Sequence, residues 1–285
     1  MLNIKKGLLI AVNELRYLLF NTKLIIVPIL LILIYSIVVE PLKECCVEMG
    51  GKMSFFEPFL ALTSSSFVIL LLPLVFVAIL ADFPNVGIPE IPRVIKSNKR
   101  TWVFGCILFS AMAILLFLGF VLLATMLMLG KNGAITADFS DTVTKYLSVF
   151  PEKNKSVVAE LLPANLYNQM YLYEAFRLNI ITLFLYLFIF TNIQILATVL
   201  NKRILGIVIN ILIIAIGTLT VSIRLPLMWL FPMAHTVPWI HFEEYLSKPV
   251  YPMEYSLIYL ITFNMILILL SFVFARNYSV MDNVE

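Results

Sequence analysis

The sequence predicts an all-α integral membrane protein: an amphipathic helix lying in the membrane interface, then six transmembrane helices, with both termini cytoplasmic. Three observations predict it. Apolar residues make up 61% of the 285 positions and charged residues 13%, against roughly 45–50% and 25% in soluble globular proteins. Mean hydropathy is +0.99, so too few charges remain to cover a surface facing water. Six apolar runs free of charge also approach or exceed the roughly 20 residues needed to cross about 30 Å of hydrocarbon. The net charge of +3 is too small to point to nucleic acid.

The first element, 4–21, is amphipathic. Leu8, Ala11, Val12, Leu15, Leu18 and Leu19 follow the spacing of one helical face, and Lys5, Lys6, Asn13, Glu14, Arg16 and Asn21 fall on the other. That pattern predicts a helix lying in the interface rather than crossing it. Asn13, Glu14 and Arg16 interrupt the apolar core that a cleaved signal peptide requires.

The spans follow at about 22–42, 58–81, 101–129, 178–200, 204–223 and 255–275, in one transmembrane domain covering 1–285. The first is short between Lys23 and Glu40 and extends into the headgroups; the third is long enough to tilt. Unpaired backbone amides are so costly in lipid that each run must be helical. Pro28 and Pro73 are the expected kink points of the first two spans.

Charge sets the orientation. With the N-terminus inside, the short inner segments carry eleven of the 20 lysines and arginines, including Lys5, Lys6, Lys23, Arg93, Lys96, Arg100, Arg203 and Arg276. Most acids fall in the outer loops, 43–57, 130–177 and 224–254. An even number of spans satisfies the positive-inside rule, and Trp102, Trp229 and Trp239 fit an aromatic belt. The outer segment between Gly130 and Glu174 is expected to hold one or two short helices, for example around Val157–Leu162.

The inner loop 82–100 is the most informative segment. Pro84, Pro89, Pro92 and Gly87 end a membrane helix and set a turn, and Pro92 suits the first turn of a new helix. On that helix Arg93, Lys96 and Arg100 share a face running on through Trp102. One reading is a solvated loop that fixes topology and touches anionic lipid; the sharper one is a docking element for a cytoplasmic partner.

Catalytic machinery is not visible in the sequence. A phosphate-binding Gly-x-x-x-x-Gly-Lys-Ser/Thr loop, His-Glu-x-x-His and Gly-x-Ser-x-Gly are all missing, and the inner loops are too short for an ATPase. The chain is therefore not expected to be an enzyme. His235 and His241 lie near Glu243 and Glu244, but two histidines at this spacing match no metal site, and no metal is expected. Cys45, Cys46 and Cys106 make no disulfide framework. Among the few intramembrane polar residues, Asn192, Gln194, Asn210 and Asn264 are candidates for a weakly polar cargo path, weighed against simple bonding between helices. The lack of a mid-membrane acid or base argues against ion coupling and favours an amphipathic cargo driven by another subunit.

The stretch Asp82-Phe-Pro, Arg93, Lys99-Arg100-Thr-Trp102 and Gly105, together with the interfacial helix and six spans, resembles the membrane-spanning permease subunit of a type-2 ABC exporter. The likeness covers nearly the whole chain and is architectural; it extends to the antimicrobial-peptide export and immunity permeases of Gram-positive bacteria. The multiple-proline form of the 82–100 loop departs from the family's pattern. The resemblance implies a multi-pass protein of a bacterial cell membrane, in contact with lipid and paired with a second permease as a homodimer or heterodimer. It also implies cytoplasmic ATPase subunits that hold the ATP and magnesium, and a coupling element built from Gly87, Pro89, Glu90, Pro92, Arg93 and Lys96. The competing reading is a non-transporting sensor or scaffold subunit of a peptide-resistance system.

Overall fold

The structure, a computed structural model, describes residues 3–65, 68–85, 98–153, 156–243, 249–276 and 278. It is almost wholly helical, with a single two-residue strand pair among the described residues. Five helices are long and apolar enough to cross a membrane: α2 (Thr22–Met49), α5 (Lys99–Asn132 with its terminal turn), α9 (Leu172–Val199), α10 (Arg203–Ser222) and α11 (Met253–Phe274). A further apolar stretch is split into α3 (Glu57–Ser64) and α4 (Val68–Ile79), a bent pair that is either one broken crossing or a re-entrant loop. The chain is thus an α-helical membrane-spanning protein. One end of the bundle gathers the chain turns rich in Lys and Arg, here the basic end. The other carries the long connections and is here the cap end.

Helix α1 (Ile4–Leu19) begins where the Asn3 side chain accepts from the Lys6 N–H. It packs along α5 through Gly7 and Gly105. A Cβ at Gly105 would sit 2.8 Å from Ile10 Cβ and 2.9 Å from the Gly7 carbonyl oxygen. This backbone approach rotates the helix from the expected face. Glu14, assigned to the polar side by its charge, follows Gly7 and Ala11 at helical spacing and is buried against the bundle, whereas Leu8 and Leu19 are exposed. The small residues choose the seam, and Glu14 is carried inward with them.

Helix α2 exceeds the expected span 22–42. Residues 43–49 continue the helix where an outer loop was expected, because Leu42, Cys45 and Cys46 are buried against the cap. Its 28 residues correspond to about 42 Å at 1.5 Å per residue. The irregularity sits at Tyr35–Val39, which winds as a π-helix just before Pro41 rather than at Pro28. Proline has no N–H to give the preceding turn, so the ladder is loosened there. Gly50, at φ 62°, ends the helix in a left-handed cap.

The second span, expected as one helix over 58–81, is instead two helices bent by 91°. Pro73 is not the break, since it lies inside α4. The break follows the hydroxyls: Thr63 Oγ1 and Ser64 Oγ both donate to the Leu60 carbonyl, at 2.9 and 2.8 Å. Ser65 then turns to an extended conformation, and the indole N–H of Trp239 caps the Ser64 carbonyl at 2.7 Å. Trp239 and Trp102 are accordingly buried, not members of a lipid-facing belt.

At the cap end β1 (Met53–Ser54) pairs in parallel with β2 (Gly133–Ala134), which follows α5. Three short helices come next: α6 (Asp141–Val149), α7 (Val157–Leu161) and α8 (Ala164–Tyr167), the second where a helix was expected. Helix α9 is the most enclosed span and packs on α5, α10 and α11. Between α10 and α11 the cap closes with three short 3₁₀ turns, from Pro226, Ala234 and Pro238.

Leucine at Gly105 cannot fit this seam, and overpacking should cost about 1–3 kcal/mol. In an Ala11→Cys background the thiol should resist maleimide when Gly105 is present and react readily when Gly105→Leu lifts α1 away. Unchanged labelling would exclude the close contact.

Candidate functional site

The expected coupling residues Gly87, Pro89, Glu90, Pro92, Arg93 and Lys96 lie outside the described residues. Both roots of their segment are described, and both are anchored. On one side Asp82 follows α4. Lys23 Nζ at the start of α2 meets its Oδ2 at 2.6 Å, and Arg203 at the start of α10 lies 3.6 Å from its Oδ1. Arg203 also donates to the Ala81 carbonyl at 3.0 Å. The hydrogen bond from Lys23, outweighing partial burial, holds the Asp82 carboxyl below the usual carboxylate range. On the other side Asn98, at φ 69°, accepts from the Arg100 N–H and caps α5. Lys99 Nζ donates to the Arg276 carbonyl at 3.3 Å, and Trp102 stacks on Tyr278 with centroids 5.3 Å apart. The segment therefore springs from a node that ties three helices and from a second that ties the C-terminal end to α5.

The four intramembrane candidates separate into two pairs. Asn192 Nδ2 donates to Asn264 Oδ1 at 2.8 Å, and Asn264 Nδ2 donates to the carbonyls of Leu185 and Leu260, both at 2.9 Å. That is a closed clasp between α9 and α11, the bonding expected of polar groups in lipid. Gln194 and Asn210 face the opposite way. Their amide nitrogens serve the carbonyls of Arg203 and Phe190, at 3.4 and 3.0 Å. Their oxygens, Gln194 Oε1 and Asn210 Oδ1, are buried without partners among the described residues. Both residues line one cavity of about 10 Å³, with Thr191, Phe76 and Phe83, between α4, α9 and α10. A void of that size matches a single water, whose two protons suit two orphaned acceptors. Gly206 permits the crossing: a Cβ there would lie 2.8 Å from Gln194 Oε1.

The cap holds the polar residues that sequence reasoning passed over. Glu57 is fully buried at the head of α3, accepting from the Ser54 N–H at 2.9 Å, the Ser140 N–H at 2.6 Å and Ser140 Oγ at 2.9 Å. It joins β1 to the start of α6. Glu48 accepts from Tyr146 and Lys153, which ties the end of α2 to the α6 region. Lys153 and the Tyr146 hydroxyl lower the Glu48 carboxyl, and Glu48 and Tyr146 raise the Lys153 amine. No local pattern flags the Glu57–Ser140 and Glu48–Tyr146 partners, because each pair is more than eighty positions apart.

The two histidines sit in an aromatic cluster. His235 Nε2 meets the Trp229 carbonyl at 2.9 Å and its Nδ1 meets Ser256 Oγ at 2.7 Å; His241 Nδ1 meets the Tyr251 carbonyl at 2.7 Å. Trp229 stacks on Tyr251 at 4.2 Å and His235 on Tyr259 at 4.2 Å. Among the described residues no three His, Cys, Asp or Glu side chains group as a metal site. Burial lowers both imidazoles from 6.5 to about 4, against the smaller opposing effect of their carbonyl partners.

Two outcomes follow from this geometry. Asn192→Leu and Asn264→Leu should each lower stability by about 1–2 kcal/mol, and the double variant should lose less than the sum because the two share one bond. Denaturant unfolding in detergent measures both. The histidines are neutral in the fold and bind protons more readily once unfolded. Stability should therefore be independent of these groups above pH 6.5 and fall as pH drops from 6.5 towards 4, with the loss complete below the folded value. Thermal unfolding across that range should show the fall, and His235→Gln with His241→Gln should flatten it.

Compared with family models, curated proteins and solved structures, the chain matches none.

Proposed function

We propose that the chain is the membrane-spanning permease subunit of a type-2 ABC exporter, with six spans and both termini cytoplasmic. It works with a second permease, as homodimer or heterodimer, and with separate ATPase subunits that bind ATP and magnesium. The cargo is amphipathic: a peptide, a lipid-like molecule or a drug. The observation that carries the reading is the Asp82 node. The segment 86–97 is the docking element, and the residue at its root is bonded to the starts of α2 and α10 while ending the broken span. A displacement of the docked segment is thereby delivered to three helices at once.

In this reading the permease contributes no chemistry. Nucleotide binding draws the ATPases together, the docking segments follow, and the bundle shifts between two packings of similar energy. The interface between α4, α9 and α10 is suited to such a shift. It is held around a small void with spare acceptors, whereas the Asn192–Asn264 clasp fixes α9 to α11. Surface helix α1 moves with α5 because their backbones touch. The size of the cap favours one other reading, the non-transporting sensor or scaffold subunit, which would bind a peptide without moving it.

Co-expression with a span-free ATPase encoded beside this chain tests the proposal. The two should co-purify, and the permease in lipid should stimulate ATP hydrolysis. Arg93→Glu should abolish co-purification. Asp82→Ala should leave binding intact and cut the stimulation roughly tenfold, equivalent to about 1.4 kcal/mol of lost coupling. A chain fully active alone in a lipid particle, without nucleotide, overturns the reading. ATPase binding with no transport of any peptide or lipid into vesicles favours the scaffold.

A further inference from the structure

A cavity of about 420 Å³ opens at the cap end, beside the last turn of α10. Its size falls within the roughly 300–1,000 Å³ of small-molecule sites. Arg224 and Glu160 both line it, with apolar surface from Pro163, Val221 and Trp239 and with Ser65, where α3 breaks off. Opposite charges that share a cavity commonly neutralise each other, yet among the described residues Arg224 and Glu160 form no ion pair. Each is left to face a ligand.

Arg224 is held in place at a cost. Its backbone stands at φ 53°, in the left-handed region that disfavours a side chain by roughly 1–2 kcal/mol. Its guanidinium lies 4.9 Å over the Trp239 ring, and that ring is pinned by the bond from its N–H to the Ser64 carbonyl. Strain, stacking and a fixed platform together present a preorganised planar fork, the geometry that receives phosphate oxygens in pairs.

The chain leading to Arg224 is apolar where it is exposed. On the same stretch of chain Ile216, Leu219, Ile223 and Leu225 are large, exposed side chains on a membrane-length helix or its end, which is where acyl chains run. We propose that this cavity binds the headgroup of a phospholipid bearing a primary amine: phosphate on Arg224, ammonium on Glu160, acyl chains along the exposed face of α10. A phosphate group alone would leave Glu160 facing like charge, and a quaternary amine would find the Trp239 face already covered by Arg224.

Native mass spectrometry of the whole protein, delipidated and then titrated with phosphatidylethanolamine, phosphatidylglycerol or phosphatidylcholine of matched chains, tests this. Free glycerophosphoethanolamine is a fourth arm that separates a lipid site from a headgroup site. Phosphatidylethanolamine should be retained at least roughly fivefold more tightly than the other lipids, about 1 kcal/mol, and the free headgroup should compete poorly. Arg224→Gly relieves the strained backbone and so should fold, yet it should abolish the preference. Glu160→Gln, at an exposed position, should keep lipid binding and lose only the discrimination between amine and glycerol headgroups. Equal retention of the three lipids by the parent protein overturns the proposal. So does a parent-like preference in a folded Arg224→Gly protein, or competition by the free headgroup equal to that of the lipid.

Discussion

A polar group without a partner costs several kcal/mol in hydrocarbon, and that cost organises this molecule. It forces the apolar runs into helices, whose internal bonds satisfy every peptide. It also explains the exceptions. Where α3 breaks off at Ser65, the carbonyl released at Ser64 is taken by the Trp239 indole, delivered from a turn far along the chain. Where Asn192 and Asn264 enter the bundle they bond to each other and to backbone carbonyls. Where Glu57 is buried it is surrounded by three donors. Several buried side-chain atoms depart from this economy, Asn179 Oδ1 and the Tyr186 hydroxyl among them, and those of Gln194 and Asn210 lie on a cavity of water size.

Much of the frame was legible in the residues. Apolar runs bounded by charge located α5, α9, α10 and α11 to within a few residues, because span length is set by the bilayer and not by tertiary contacts. Three details were not legible. The 91° break after Ser64 depends on Thr63 and Ser64 turning onto one carbonyl and on Trp239 arriving to cap the next, a conjunction that hydropathy cannot register. The continuation of α2 to Met49 depends on what buries Cys45 and Cys46, which lies elsewhere in the chain. The inward side of α1 depends on Gly7 meeting Gly105, so a charge pattern misplaced Glu14. Of the four intramembrane candidates, the sequence could not say that Asn192 and Asn264 bond to each other while the oxygens of Gln194 and Asn210 find no partner among the described residues.

The basic end and the cap end are built differently. At the basic end, Lys23, Asp82 and Arg203 draw together three helix ends through exposed or half-buried charges. Such pairs contribute little stability on their own and exchange partners readily. At the cap end, buried bonds around Glu57 and the histidine–aromatic cluster supply much of the linkage. The water-sized void between α4, α9 and α10 is lined by Ala81 and Phe83, which flank the Asp82 node.

The contact between Gly7 and Gly105 makes one lever of two helices. With no side chain between the backbones, nothing at that point can give by changing rotamer when α1 is pushed. A displacement of this short helix is therefore passed to α5 near its start and carried along its 34 residues. Whatever presses on the first helix is felt at the opposite end of the bundle.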